Sequence, residues 1–139
     1  MTSLEKAIKI ALTAHQGQKD KAGAPYILHP LRLMQQMRDE TEQIVAVLHD
    51  VTEDSRYTLE YLRKKGFSKK VIAALECLTK DDGEPYESYI DRVKLNPLAK
   101  KVKLADLEDN LNITRLSQIN EEDIERLRKY HLAWVKLSK

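Results

Sequence analysis

Apolar residues recur at helical spacing along nearly the whole chain. Leu4, Ala7, Ile8, Ala11 and Leu12 fall on one face of a first helix, which Gly17 closes. Residues 18–28 read as a loop holding Gly23 and Pro25. Pro30 suits the first turn of a short helix from Leu31 to Met37. Thr41 is placed to cap a helix running through Ile44-Val45-Ala46-Val47-Leu48 to about Asp50. Thr58 opens another helix, which Gly66 ends. Ser68 caps Lys69 to Leu78, where Val71, Ile72, Leu75 and Leu78 share a stripe. Residues 79–84 read as a loop. Pro85 begins a helix through Val93, and Pro97 a long one through about Leu116. Glu121, Glu122 and Asp123 favour the start of a last helix ending near Lys136, because acids complement its N-terminal dipole. The pattern predicts one all-α domain over residues 1–139, a bundle of about seven or eight helices, with no internal repeat or linker.

Composition narrows the class. Only 4 glycines and 4 prolines occur, too few for the tight turns of a β-sandwich or barrel. Lys+Arg of 24 against Asp+Glu of 22 leaves a net charge of +2, which is no electrostatic footprint for nucleic acid. Aromatic residues are 6%, mostly tyrosine, and offer no stacking platform for single strands. The single cysteine, Cys77, excludes an internal disulfide. The longest clean apolar run, Ile44 to Leu48, is far shorter than the roughly 20 residues a membrane span needs. The N-terminus leads straight into a helical pattern without a signal-peptide core, so a cytoplasmic location is expected.

The candidate chemistry begins where the apolar run of Ile44 to Leu48 meets His49-Asp50-Val51-Thr52-Glu53-Asp54. At helical spacing His49, Asp50, Glu53 and Asp54 fall within an arc of about 140°. Three carboxylates so close repel one another, and desolvation near a buried core adds to the cost. A divalent cation would reverse both effects, and His with Asp donors suits Mn²⁺, Fe²⁺ or Zn²⁺. The plainer alternative is a solvated acidic helix end. In the segment from Pro97 to Leu116, apolar stripes on two sides point to deep packing. There Asp106 and Asp109 need either a metal or a lysine as partner, with Asn110 at the edge. His29 precedes Pro30, which biases it toward an extended conformation projecting from the loop.

Together these segments resemble the metal-dependent HD-domain hydrolases of the RelA/SpoT type, most nearly the small stand-alone alarmone hydrolases. The resemblance rests on Ala14-His15-Gln16-Gly17-Gln18, Lys21 to Leu31 (ending PYILHPL), Leu48 to Ser55 (LHDVTEDS), and Val102 to Asp106 (VKLAD) with Asn110. It implies an all-α HD fold without a synthetase domain and one divalent metal, usually Mn²⁺, held by His29, His49, Asp50 and Asp106. It implies that Glu53 and Asp54 activate and orient the attacking water. Lys21 and Asn110 match positions that contact the nucleotide's phosphates or ribose. The implied reaction removes the 3′-pyrophosphate of (p)ppGpp. The expected partner is a small-molecule nucleotide, with neither nucleic acid nor membrane.

The chain also departs from the family's pattern. Asp20 stands where the family commonly has an arginine that packs on guanine, and Leu107 and Asp109 replace a basic residue and an aromatic or histidine. Asp109 is open to two readings, support of the metal ligands or competition with them. Tyr86 and Tyr89 either line a base pocket or pack between helices. His15 reads as a support for the site and His131 as a surface or core-edge residue. Two alternatives to alarmone hydrolysis follow. One is an HD phosphohydrolase of another phosphorylated nucleotide, such as an adenine alarmone or the 2′-phosphate of NADPH. The other is a non-catalytic nucleotide-binding HD module.

Overall fold

The computed structural model describes all of residues 1–139 and is all-helical. Helix α1 spans Ser3–Ala14, α2 Leu28–Gln35, α3 Glu40–Leu48 and α4 Val51–Asp54. They are followed by α5 (Leu59–Lys64), α6 (Lys69–Leu78), α7 (Tyr86–Lys94), α8 (Pro97–Leu111) and α9 (Glu121–Ser138). Eight of these have six residues or more, and α4 is a single turn. The only extended pairing is one isolated bridge, Lys19 with Pro25.

Helix α3 is the axis of the bundle. Val45, Ala46, Val47 and Leu48 are fully buried, as an apolar run without a polar face requires. It packs against α1, α2, α6 and α8, and α8 in turn carries α7 and α9. One continuous core of 27 buried side chains results. No helix is long and apolar enough to cross a membrane.

The element boundaries depart from the sequence pattern at four places, and each has a local cause. Helix α2 begins at Leu28, not Leu31, so His29 is helical instead of extended. Pro30 is tolerated because the first-turn N–H groups have no intrahelical partner to lose, and this overrides the bias on the preceding residue. Asp39, not Thr41, caps α3: its side chain accepts the Glu42 N–H, and the Glu42 side chain accepts the Asp39 N–H. The helix then stops at Leu48. Asp50 sits at φ −105°, ψ 0°, a break that separates α4 and turns the two metal-binding candidates His49 and Asp50 out of regular helix. Helix α8 ends at Leu111, because Asn112 leaves helical geometry and its side chain caps a 3₁₀ turn at Ile113–Arg115. Ile113 and Leu116 therefore line a cavity instead of extending the α8 stripe.

Candidate metal centre

Four side chains from three separate segments of the sequence converge. His29 comes from the first turn of α2, His49 and Asp50 from the break after α3, and Asp106 from α8. One donor atom from each lies within 4.8 Å of the others. His29 Nε2 is 2.8 Å from Asp106 Oδ1 and 3.9 Å from Asp50 Oδ2. His49 Nε2 is 2.9 Å from Asp50 Oδ2 and 3.4 Å from Asp106 Oδ1. His29, His49 and Asp106 are buried, while Asp50 is partly open.

The far side of each imidazole fixes which nitrogen faces this cluster. His49 Nδ1 donates to the Ala46 carbonyl at 2.7 Å. His29 Nδ1 donates to Asp109 Oδ2 at 2.6 Å. Both Nε2 atoms are thereby left for the centre, the arrangement in which histidine binds metals with its orientation set by an outer partner. His49 Nε2 is buried and has no hydrogen-bond partner. A neutral His49 would aim its lone pair at two carboxylates, so the site calls for positive charge between these atoms. Two nitrogen and two carboxylate donors fit a divalent cation, with coordination positions left over for water and substrate oxygen. In the protein alone, protons meet the same need. Burial opposes charge on His49, but Asp50 and Asp106 prevail and hold its pKa well above the usual imidazole range. His29 is raised as well, burial being outweighed by Asp106 and Asp109. Burial works against the charge of Asp106 too, yet Lys103 and the histidines keep its carboxyl well below the usual range.

Each carboxylate is oriented by a neighbour. The Tyr26 hydroxyl donates to Asp50 Oδ2. Lys103 Nζ donates to Asp106 Oδ2 at 2.9 Å, and Asn110 Nδ2 to Asp106 Oδ1 at 3.1 Å. Lys103 lies over the ring of buried Tyr89, whose hydroxyl donates to the Leu78 carbonyl, so Tyr89 packs between helices. Sequence reasoning did not single out Tyr26 or Lys103. Both lie inside the quoted segments, three residues before His29 and Asp106 respectively, which is one helical turn.

Asp109 does not reach the centre. It lies behind His29, where Arg32 Nε and Nη2 fork onto its two oxygens at 2.9 Å each. Arg115 Nη2 donates to its backbone carbonyl at 2.8 Å and approaches Oδ2 at 3.4 Å. Burial notwithstanding, His29 and Arg32 hold its carboxyl well below the usual range. Of the two readings, support of a ligand is the one the geometry matches.

Glu53 and Asp54 stand on α4 at the exposed side. Glu53 Oε1 accepts the Lys80 N–H at 2.7 Å. Partial desolvation, with Asp50 and Glu53 nearby, pushes the Asp54 carboxyl up to about 6. The Asp54 carbonyl is held by Gln18 Nε2 at 2.8 Å, and Gln18 Oε1 accepts from buried His15 Nδ1 at 2.9 Å, tying α1 to α4. Lys21 is exposed and lines, with Asn110, a cavity of about 270 Å³ on the Asp109 side of His29. Asp20 also lines that cavity, with one carboxylate oxygen committed to its own loop. Its Oδ1 accepts the N–H groups of Ala22 and Ala24 at 2.9 Å each, building the loop in which Gly23 takes φ +87°.

The fold and the cluster of two histidines and two aspartates, buried except at Asp50, define an HD-type helical domain with a candidate metal centre. No protein-family profile matches the chain. It is 34% identical over 128 residues to a GTP pyrophosphokinase of Streptomyces coelicolor. It is 32% identical over 120 residues to a guanosine-3′,5′-bis(diphosphate) 3′-pyrophosphohydrolase of Aquifex aeolicus. These matches cover 83% and 78% of this chain but only 15% and 17% of the relatives' own length. A solved structure of a metazoan ortholog of SpoT that hydrolyzes ppGpp superposes with a TM-score of 0.80. That match covers 99% of this chain and 85% of the other at 23% identity. The RelA/SpoT-type resemblance and the all-α fold it implied are both borne out.

Proposed function

We propose that residues 1–139 form an HD-type hydrolase domain that removes the 3′-pyrophosphate of a (p)ppGpp-like alarmone with Mn²⁺, in the cytoplasm. The observation that carries this reading is the convergence of His29, His49, Asp50 and Asp106, with both Nε2 atoms aimed at one point. Relatives named for making and cleaving this nucleotide support it.

His29, His49, Asp50 and Asp106 would hold the cation. When bound, a divalent cation lowers the pKa of water and offsets charge on the phosphoryl group. Glu53 takes the proton of the attacking water, and the Lys80 N–H fixes the carboxylate for that task. Asp54 orients the water from the same turn. Lys21 neutralises phosphate charge as a point cation. Asn110, anchored on Asp106, faces the ribose or phosphate from the cavity wall. One water adds across the P–O3′ bond, giving pyrophosphate and GDP or GTP.

Purified protein with Mn²⁺ is expected to release pyrophosphate from ppGpp. No release by metal-loaded protein would overturn the reading. The second reading, a different phosphorylated nucleotide, is favoured by Asp20, which is committed to its own loop and supplies no cation to pack on guanine. A panel of nucleotides scored for pyrophosphate against orthophosphate release decides between them.

A further inference from the structure

The cavity behind His29 is cationic. Lys19, Lys21, Arg32 and Arg115 line it, against two carboxylates, Asp20 and Asp109. Both carboxylates are already engaged, Asp20 by loop N–H groups and Asp109 by His29 and Arg32, with Arg115 Nη2 at 3.4 Å. Arg32 uses Nε and Nη2 on Asp109, which leaves Nη1 free. Arg115 uses Nη2, which leaves Nε and Nη1 free. Two guanidiniums are thus fixed in place by a buried carboxylate and a carbonyl, with donors to spare. Fixing them beforehand lowers the ordering cost of binding an anion.

We propose that Arg32 and Arg115, held on Asp109, form an anion subsite beside the metal centre, which takes the substrate's phosphate arm that is not cleaved. This rests on the reading that the metal centre cleaves a nucleotide 3′-pyrophosphate, and it identifies the substrate as one carrying phosphate at both ends. The volume of about 270 Å³ lies below that of sites enclosing a whole drug-sized ligand, and so suits a diphosphate fragment. A base is the poorer occupant. The one aromatic ring on the wall outside the histidine, Tyr26, is packed between His15 and His29.

The test begins with the full chain freed of metal by a chelator and titrated calorimetrically with inorganic pyrophosphate. Without a cation the carboxylate cluster repels this probe, so binding reports on the cationic cavity, and the arginine variants separate Arg32 and Arg115 from Lys19 and Lys21. Wild type is expected to bind, and Arg115→Gln and Arg32→Gln to lose about ten-fold or more in affinity, as for charge-assisted hydrogen bonds. Arg128→Gln, which removes an exposed pair with Glu125 on α9, is expected to leave binding unchanged. Arg115→Lys guards against a folding defect: it keeps the charge but not the fork, and is expected to retain part of the affinity. No binding by wild type, or equal binding by Arg115→Gln, overturns the subsite. With Mn²⁺, Arg115→Gln is expected to raise KM for ppGpp about ten-fold at constant kcat. It is expected to leave KM unchanged for guanosine 3′-diphosphate, which lacks the 5′ arm. An equal KM rise on both substrates overturns the proposal. If wild type hydrolyses neither, the proposed reaction fails, and the pyrophosphate titration still decides the subsite.

Discussion

His49 donates its Nδ1–H to the carbonyl of Ala46, 2.7 Å away and one turn back in the same helix. The end of α3 thereby sets the tautomer of a buried imidazole and turns its other nitrogen toward Asp50 and Asp106. At this helix end the Ala46 carbonyl accepts only a long backbone bond, from the His49 N–H at 3.5 Å, and so has capacity left for the imidazole.

This geometry predicts that metal stabilises the fold. Mn²⁺ at one hundred times its dissociation constant is expected to add about 2.7 kcal/mol, seen as a raised Tm in thermal unfolding. Asp106→Asn should abolish the shift. A shift that survives in this variant would show that Asp106 is not a ligand.

The metal-free protein should have a bell-shaped dependence of stability on pH. His29 and His49 are raised in the folded state, so their contribution is complete below about 6.5 and is lost as pH climbs through the folded values. Asp50 and Asp106 are lowered, so theirs is complete above about 4 and is lost as pH falls. Urea midpoints measured in chelator should peak between these limits. In saturating Mn²⁺ the alkaline limb should flatten, because the cation replaces the protons. A midpoint rising steadily from pH 5 to 8 in chelator would contradict the histidine directions.

Asp109→Asn removes the negative partner of His29 Nδ1, Arg32 and Arg115 together. Loss of such an outer partner typically costs 10–100-fold in metal affinity, on the order expected here. Competition of the variant with a fluorescent Mn²⁺ chelator measures it. Unchanged affinity would mean that His29 is positioned by packing alone.

Glu53→Gln keeps the size and the Lys80 contact but not the base. Turnover should fall by about 10²–10⁴-fold while Mn²⁺ affinity and Tm stay within error. Retained turnover would assign the proton to another group, with Asp54 the nearest candidate.

The all-α class, the buried α3 and the segments that hold the site are legible along the chain. Each is written in local terms: the run of Val45 to Leu48, the caps at Thr58 and Ser68, and the short motifs around His29, His49 and Asp106. What it left undecided is of a different kind. The meeting of His29, His49, Asp50 and Asp106 and the burial of Asp109 behind His29 depend on groups far away in the chain. Asp109 could have been ligand or support, and Arg32 and Arg115 decide it across gaps of 77 and 6 residues. Tertiary structure alone brings such partners together. Periodicity says which face of a helix is buried, but the charge balance of a buried carboxylate is set by whatever the neighbouring helices place against it.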